Sequence, residues 1–70
     1  MFWWFERGGE LLRLEVLELA AHEFELRLIR ADGSETAERF SSAEDLAKRH
    51  VQLQEAVTRE GWEGPRGPLM

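Results

Sequence analysis

Two periodicities run along this chain. From Phe2 to Arg30, apolar and polar residues alternate with a period near two, and from Ser42 to Glu60 the apolar residues recur every three or four positions. The first pattern predicts strands and the second an amphipathic helix. The strand region opens on Phe2-Trp3-Trp4-Phe5, which is apolar on both parities. A strand of that kind is buried on both faces or meets a partner.

Gly8-Gly9 reads as a two-residue hairpin loop, because glycine reaches positive φ without steric cost. That loop fixes a register. Arg7 faces Glu10, Phe5 faces Leu12, Trp3 faces Leu14 and Met1 faces Val16, all on one face. The other face pairs Glu6 with Leu11, Trp4 with Arg13, and Phe2 with Glu15. The first set is the core side, closed by an expected Arg7–Glu10 charge pair. Trp4 over Arg13 is an expected cation–π contact. The connection Leu17 to Glu23 is expected as a loop of three or five residues centred on Ala21. This sets Val16 opposite Leu26, Leu14 opposite Leu28, and Glu15 opposite Arg27 as a charge pair. A loop of two or four residues would need a bulge.

Phe24, Leu26 and Leu28 then point inward, while Glu25, Arg27 and Ile29 point outward. Ala31-Asp32-Gly33 is a turn, and Glu35 to Phe40 is a short polar edge strand. A three-residue turn places Phe40 opposite Phe24 and points Glu38 inward, a device that discourages edge-to-edge pairing. Ser41-Ser42-Ala43-Glu44 reads as a capping box, with Ser41 at the cap and Glu44 three residues on. The helix runs from about Ser42 to Glu60 with Ala43, Leu46, Ala47, His50, Leu53 and Val57 as its stripe. Gly61 ends it, and Trp62 packs back on Val57. The Gly- and Pro-rich segment 63–70 predicts a flexible tail after a single domain of residues 1–62.

The expected fold is therefore α+β: a four-stranded antiparallel meander with one C-terminal helix packed on one face, ββββα. One helix covers the face carrying Trp3, Phe5, Leu12, Leu14, Val16, Phe24, Leu26 and Leu28. The opposite face keeps Phe2, Trp4, Leu11, Leu17 and Ile29, with Arg13 and Arg27 among them. A contiguous apolar patch on a small protein marks an interface.

Composition sharpens this. At 70 residues a core is marginal alone, and with no cysteine there is no disulfide or thiolate site to reinforce it. Oligomerisation is the remaining source of burial, so a homodimer is expected. The initial apolar run is short, lacks a basic lead-in and meets Glu6 and Arg7 at once, unlike a signal peptide. No run approaches membrane-spanning length. A soluble cytoplasmic protein is expected, with no membrane partner.

Candidate chemistry adds little. Ser34, Ser41 and Ser42 are explained by a turn and a cap. His22 falls at a turn and His50 within the apolar stripe, and the two have no acidic partners at metal-ligand spacing. Arg7-Gly8-Gly9-Glu10 matches no phosphate loop. No catalytic residue, metal site or cofactor is expected, and the chain reads as non-enzymatic. Phe2, Trp4, Arg13 and Arg27 on a sheet face form the type of platform on which single-stranded nucleic acid stacks. The net charge of −5, with Glu6, Glu15 and Glu25 on that same face, weighs against it and for a dimer. Four antiparallel strands followed by a helix resembles the single-stranded-DNA-binding transcriptional regulators of the whirly and Pur type, in the order of elements alone. That resemblance implies paired units and nucleic-acid binding, and assigns no residue.

Overall fold

The computed structural model describes residues 1–69. Five strands, β1 (Phe2–Arg7), β2 (Glu10–Ala20), β3 (Glu23–Ile29), β4 (Glu35–Phe40) and β5 (Glu63–Leu69), surround one helix in sequence, α1 (Ala43–Arg59). The strands form one antiparallel sheet in the order β4-β3-β2-β1-β5. The architecture is α+β, as expected, with one strand more than the sequence pattern showed.

The β1–β2 hairpin has the register that the glycine pair dictates, from Arg7↔Glu10 through Trp3↔Leu14 to Phe2↔Glu15. Gly8 and Gly9 both take positive φ, 54° and 83°, as a tight loop matched to strand twist requires. Met1 continues the ladder, accepting from the Val16 amide at 2.9 Å. The β3–β4 register, Phe24↔Phe40 to Ile29↔Glu35, also follows the expected turn. There Asp32 accepts a hydrogen bond from the Ser34 amide at 2.9 Å, and hydrogen bonding from the Ser34 side chain, then from that amide, pulls its carboxyl below the ordinary value.

The β2–β3 connection differs from expectation. Leu14↔Leu28, Glu15↔Arg27 and Val16↔Leu26 are paired as foreseen, but the strands run on to Ala20 and Glu23 with a two-residue turn, Ala21-His22. A bulge between Glu18 and Ala20 absorbs the parity change that so short a turn demands. His22 occupies the turn at φ 61°, a conformation in which histidine is several-fold enriched among non-glycine residues. It is exposed.

The helix begins one residue later than expected. Ser42, not Ser41, is the cap, and its Oγ accepts from the Asp45 amide at 3.3 Å, so Asp45 takes the third helical position. Glu44 and Asp45 lie in the first turn, where the helix dipole favours them. The C-terminus closes as a Schellman motif: the Gly61 amide donates to Thr58 O at 3.0 Å and the Trp62 amide to Val57 O at 3.2 Å.

The core is Phe5, Leu12, Leu14, Leu26 and Leu28 from the sheet with Leu46, Val57 and Trp62. Val16, Phe24, Phe40 and Leu53 pack against it in part. Trp3 is only half-buried, and Ala43 and Ala47 of the expected helical stripe are exposed. Glu38 points toward the helix as foreseen and meets Arg49 there at 3.0 Å.

Two expectations are overturned at the sheet's other edge. Segment 63–69, expected as flexible tail, is β5, paired with β1 through Phe2↔Leu69, Trp4↔Arg66 and Glu6↔Glu63 with irregular steps between. Met70, the end of that expected tail, lies outside the described residues. The physical reason is Trp62. Its burial fixes the chain's exit beside β1, whose open backbone groups then find partners in segment 63–69. Nor does Arg7 turn to Glu10. It donates to the Glu60 carbonyl at 2.7 Å and sits 4.5 Å over the Trp62 ring, so it ties the helix end and the tryptophan to β1.

Candidate functional site: the uncovered sheet face

Strand alternation sends Phe2, Trp4 and Glu6 of β1 away from the helix. Leu11, Arg13, Glu15 and Leu17 of β2 and Glu25, Arg27 and Ile29 of β3 do the same. All seven residues singled out from the sequence, Phe2, Trp4, Leu11, Arg13, Leu17, Arg27 and Ile29, therefore share one face. α1 lies on the other side and packs on Leu26, Leu28 and their neighbours. Leu11 is 57 % exposed, more than Met1 or Leu19.

Five of the seven gather around one concavity. Phe2, Trp4, Leu11, Arg13 and Ile29 line a bowl of about 380 Å³, completed by Leu12 and Arg30. Leu17 and Arg27 lie outside it, Arg27 in the row where it faces Glu15 across the strands and Leu17 in the next outward row, opposite Glu25. Phe2 and Trp4 set their rings 6.2 Å apart at 44°. Arg13 stacks on Phe2, with its guanidinium carbon 4.2 Å from the ring, rather than on the Trp4 that faces it in the ladder. The side chain leans along the strand to its diagonal neighbour, which the register alone does not reveal.

The charges of the face are largely matched within the chain. Arg27 bonds Glu25 at 2.8 Å and Arg66 bonds Glu6 at 3.2 Å. Arg27 thus turns to its own strand rather than across to Glu15, which instead lies 4.0 Å from Arg13. Arg13, Arg27, Arg39 and Arg66 stand against Glu6, Glu15, Glu25, Glu35 and Glu63 in the outward rows. The face is thus close to neutral on a chain of net charge −5. It has no positive field to draw in a polyanion.

His50 belongs to the opposite side of the molecule. Its ring meets Trp3 at 4.4 Å and 61°, and the Gln54 amide nitrogen lies 3.1 Å from its Nδ1. With Gln54 donating to Nδ1, the proton sits on Nε2, which is buried and has no hydrogen-bond partner. Burial holds the imidazole's pKa below its ordinary 6.5. The sign follows directly. Above pH 6.5 the ring is neutral whether folded or unfolded, and below it the unfolded chain takes the proton first. Stability should fall as the pH drops from 6.5 toward the folded-state pKa. Urea unfolding at pH 7.5 and 5.5 checks this: His50→Leu should show a smaller loss between the two than the parent chain, and equal losses would refute it.

No group of three or more His, Cys, Asp or Glu is placed to hold a metal ion among the described residues. No helix among them is long and apolar enough to cross a membrane. No protein-family model matches this chain, and neither does any curated protein or solved structure.

Proposed function

We propose that this chain is a small, non-enzymatic interaction module of the cytoplasm that forms a homodimer through its outward sheet face. One observation carries the proposal. The sheet is apolar on both sides and the single helix covers one of them, leaving Leu11 exposed and Phe2, Trp4, Leu17 and Ile29 only half-buried on the other. A second copy fits that face better than a strongly charged partner does. The face is nearly neutral and mixes both signs, so its own image opposes it with little net repulsion. Two-fold symmetry makes such a patch self-complementary.

Light scattering at micromolar concentration tests this. The parent chain is expected at the mass of two chains. Trp4→Glu, which puts a charge in the middle of the patch, is expected at the mass of one with its circular dichroism intact. A parent chain found as a monomer would sink the proposal.

A second reading rests on the tilted Phe2–Trp4 pair with Arg13 beside it, the group of side chains on which unpaired bases stack. The likeness to the whirly and Pur regulators points the same way. It rests on four strands followed by a helix, an order to which β5 adds a strand returning to the β1 edge. Five carboxylates on the face oppose it. Titration with single-stranded oligonucleotides at low salt decides, since binding through this platform must quench tryptophan fluorescence.

A further inference from the structure

We propose that the bowl on the outward face is a binding site for a small apolar carboxylic acid, its body against Trp4, Leu11 and Ile29 and its carboxylate on Arg13. This goes beyond self-association and competes with it: one chain supplies the whole lining, but the dimer proposed above would cover the same residues, so the acid binds the single chain.

The volume, about 380 Å³, lies in the range of small-ligand sites, and the walls are chiefly apolar. Arg13 distinguishes this place from the rest of the face. Arg27 and Arg66 are engaged by carboxylates at 2.8 and 3.2 Å, and Arg39 stands on β4, away from the bowl. Arg13 approaches Glu15 only to 4.0 Å, beyond hydrogen-bond reach, so its donors remain free on that side. Its position is nevertheless fixed, by the stack on Phe2. A guanidinium held at the wall of an apolar bowl with donors to spare is matched by a carboxylate, which accepts two parallel bonds from it. A neutral apolar molecule leaves those donors unused. Arg30 also lines the bowl and stands equally far, 4.0 Å, from its own carboxylate neighbour Glu60, but no ring among the described residues holds it in place; the stack on Phe2 is what assigns the carboxylate to Arg13.

The test uses the full chain, labelled with nitrogen-15 and titrated with hexanoate or with neutral hexanamide. Saturable amide shifts are expected around Trp4, Leu11, Arg13 and Ile29 with hexanoate. Hexanamide should bind at least roughly tenfold more weakly, and Arg13→Gln should weaken hexanoate by a similar factor, as loss of a charged hydrogen bond does. Arg39→Gln, on the same face but off the bowl, should change nothing. Equal affinity for acid and amide, unchanged binding by Arg13→Gln in a folded variant, or shifts that do not saturate would each overturn the site. Light scattering on the same samples separates this from self-association: a chain diluted until it is a single copy that still binds no hexanoate refutes the acid site alone, whereas a chain that is monomeric at every concentration and binds supports the site and refutes the dimer.

Discussion

Trp62→Ala is expected to cost about 3–5 kcal/mol, the range for emptying a large aromatic position in a core. Trp62 is 6 % exposed and packs with Phe5 and Val57 in the central cluster. Its loss reaches further than a cavity. The Arg7 guanidinium 4.5 Å over the ring loses its platform, and the Arg7 bond to the Glu60 carbonyl loses the packing that orients it. β5 leaves the helix directly through this residue, so its pairing with β1 loses its anchor as well. A domain of this size holds only on the order of 5 kcal/mol in all. The variant should therefore keep only about 0–2 kcal/mol, at the edge of unfolding at 25 °C, and show a urea midpoint lower by at least about 2 M, given a slope near 1–1.5 kcal/mol per molar. A midpoint within about 0.5 M of the parent's would show that the tryptophan is not part of the core.

Gly64→Ala should act more locally and almost as strongly at its site. Gly64 has φ 146°, where side-chain-bearing residues are strained. An added Cβ would lie 2.9 Å from Phe5 Cδ2 and 3.0 Å from the Trp4 carbonyl oxygen. Phe5 is fully buried and the carbonyl belongs to the β1 backbone, so neither can yield cheaply. Strain and overpacking together come to about 2–5 kcal/mol. The cheaper response is for β5 to leave the sheet edge. Hydrogen exchange should then accelerate at the β1 amides that β5 protects, while the β1–β2 ladder keeps its protection. Uniform acceleration across all strands would refute the local account, and an unchanged pattern would refute the clash.

Most of the sheet was legible in the sequence for a specific reason. Gly8-Gly9 and Ala31-Asp32-Gly33 leave one loop length each, and with period-two alternation a loop length determines which side chains face one another. The β2–β3 connection has no such punctuation. Leu17 to Glu23 contains neither glycine nor proline, so nothing in it announces a two-residue turn at Ala21-His22 or the bulge that restores the register. β5 was hidden for a related reason. Strand pattern is a pattern of side chains, and Glu63-Gly64-Pro65-Arg66-Gly67-Pro68 has almost none to bury. What makes it a strand is the unpaired edge of β1 and the direction in which Trp62 delivers the chain, both tertiary facts.

The candidate face was legible as a set of residues but not as a surface. Alternation placed all seven of its residues on one side. It did not separate the five that form the bowl from Leu17 and Arg27, because that depends on how side chains lean. The Arg13 stack on Phe2 and the same-strand bond of Arg27 to Glu25 are choices among neighbours at similar distances. Arg7 was misassigned because its true partner, the carbonyl end of α1, is 53 residues away along the chain.

The two outer strands bear on how far this molecule can aggregate. On β4, Glu38 is turned inward and tied to Arg49. On β5, Pro65 and Pro68 carry no amide hydrogen, and the ladder is already irregular. The outer edge of β4 keeps its free donors and acceptors, but an inward charge discourages a second strand there, and on β5 the prolines interrupt the run of donors. Growth by strand addition, the route to fibrils, is thereby disfavoured at both ends of the sheet. Association through the broad face of the sheet uses up that face when two copies meet. The mass should therefore reach a plateau as concentration rises rather than climb without limit.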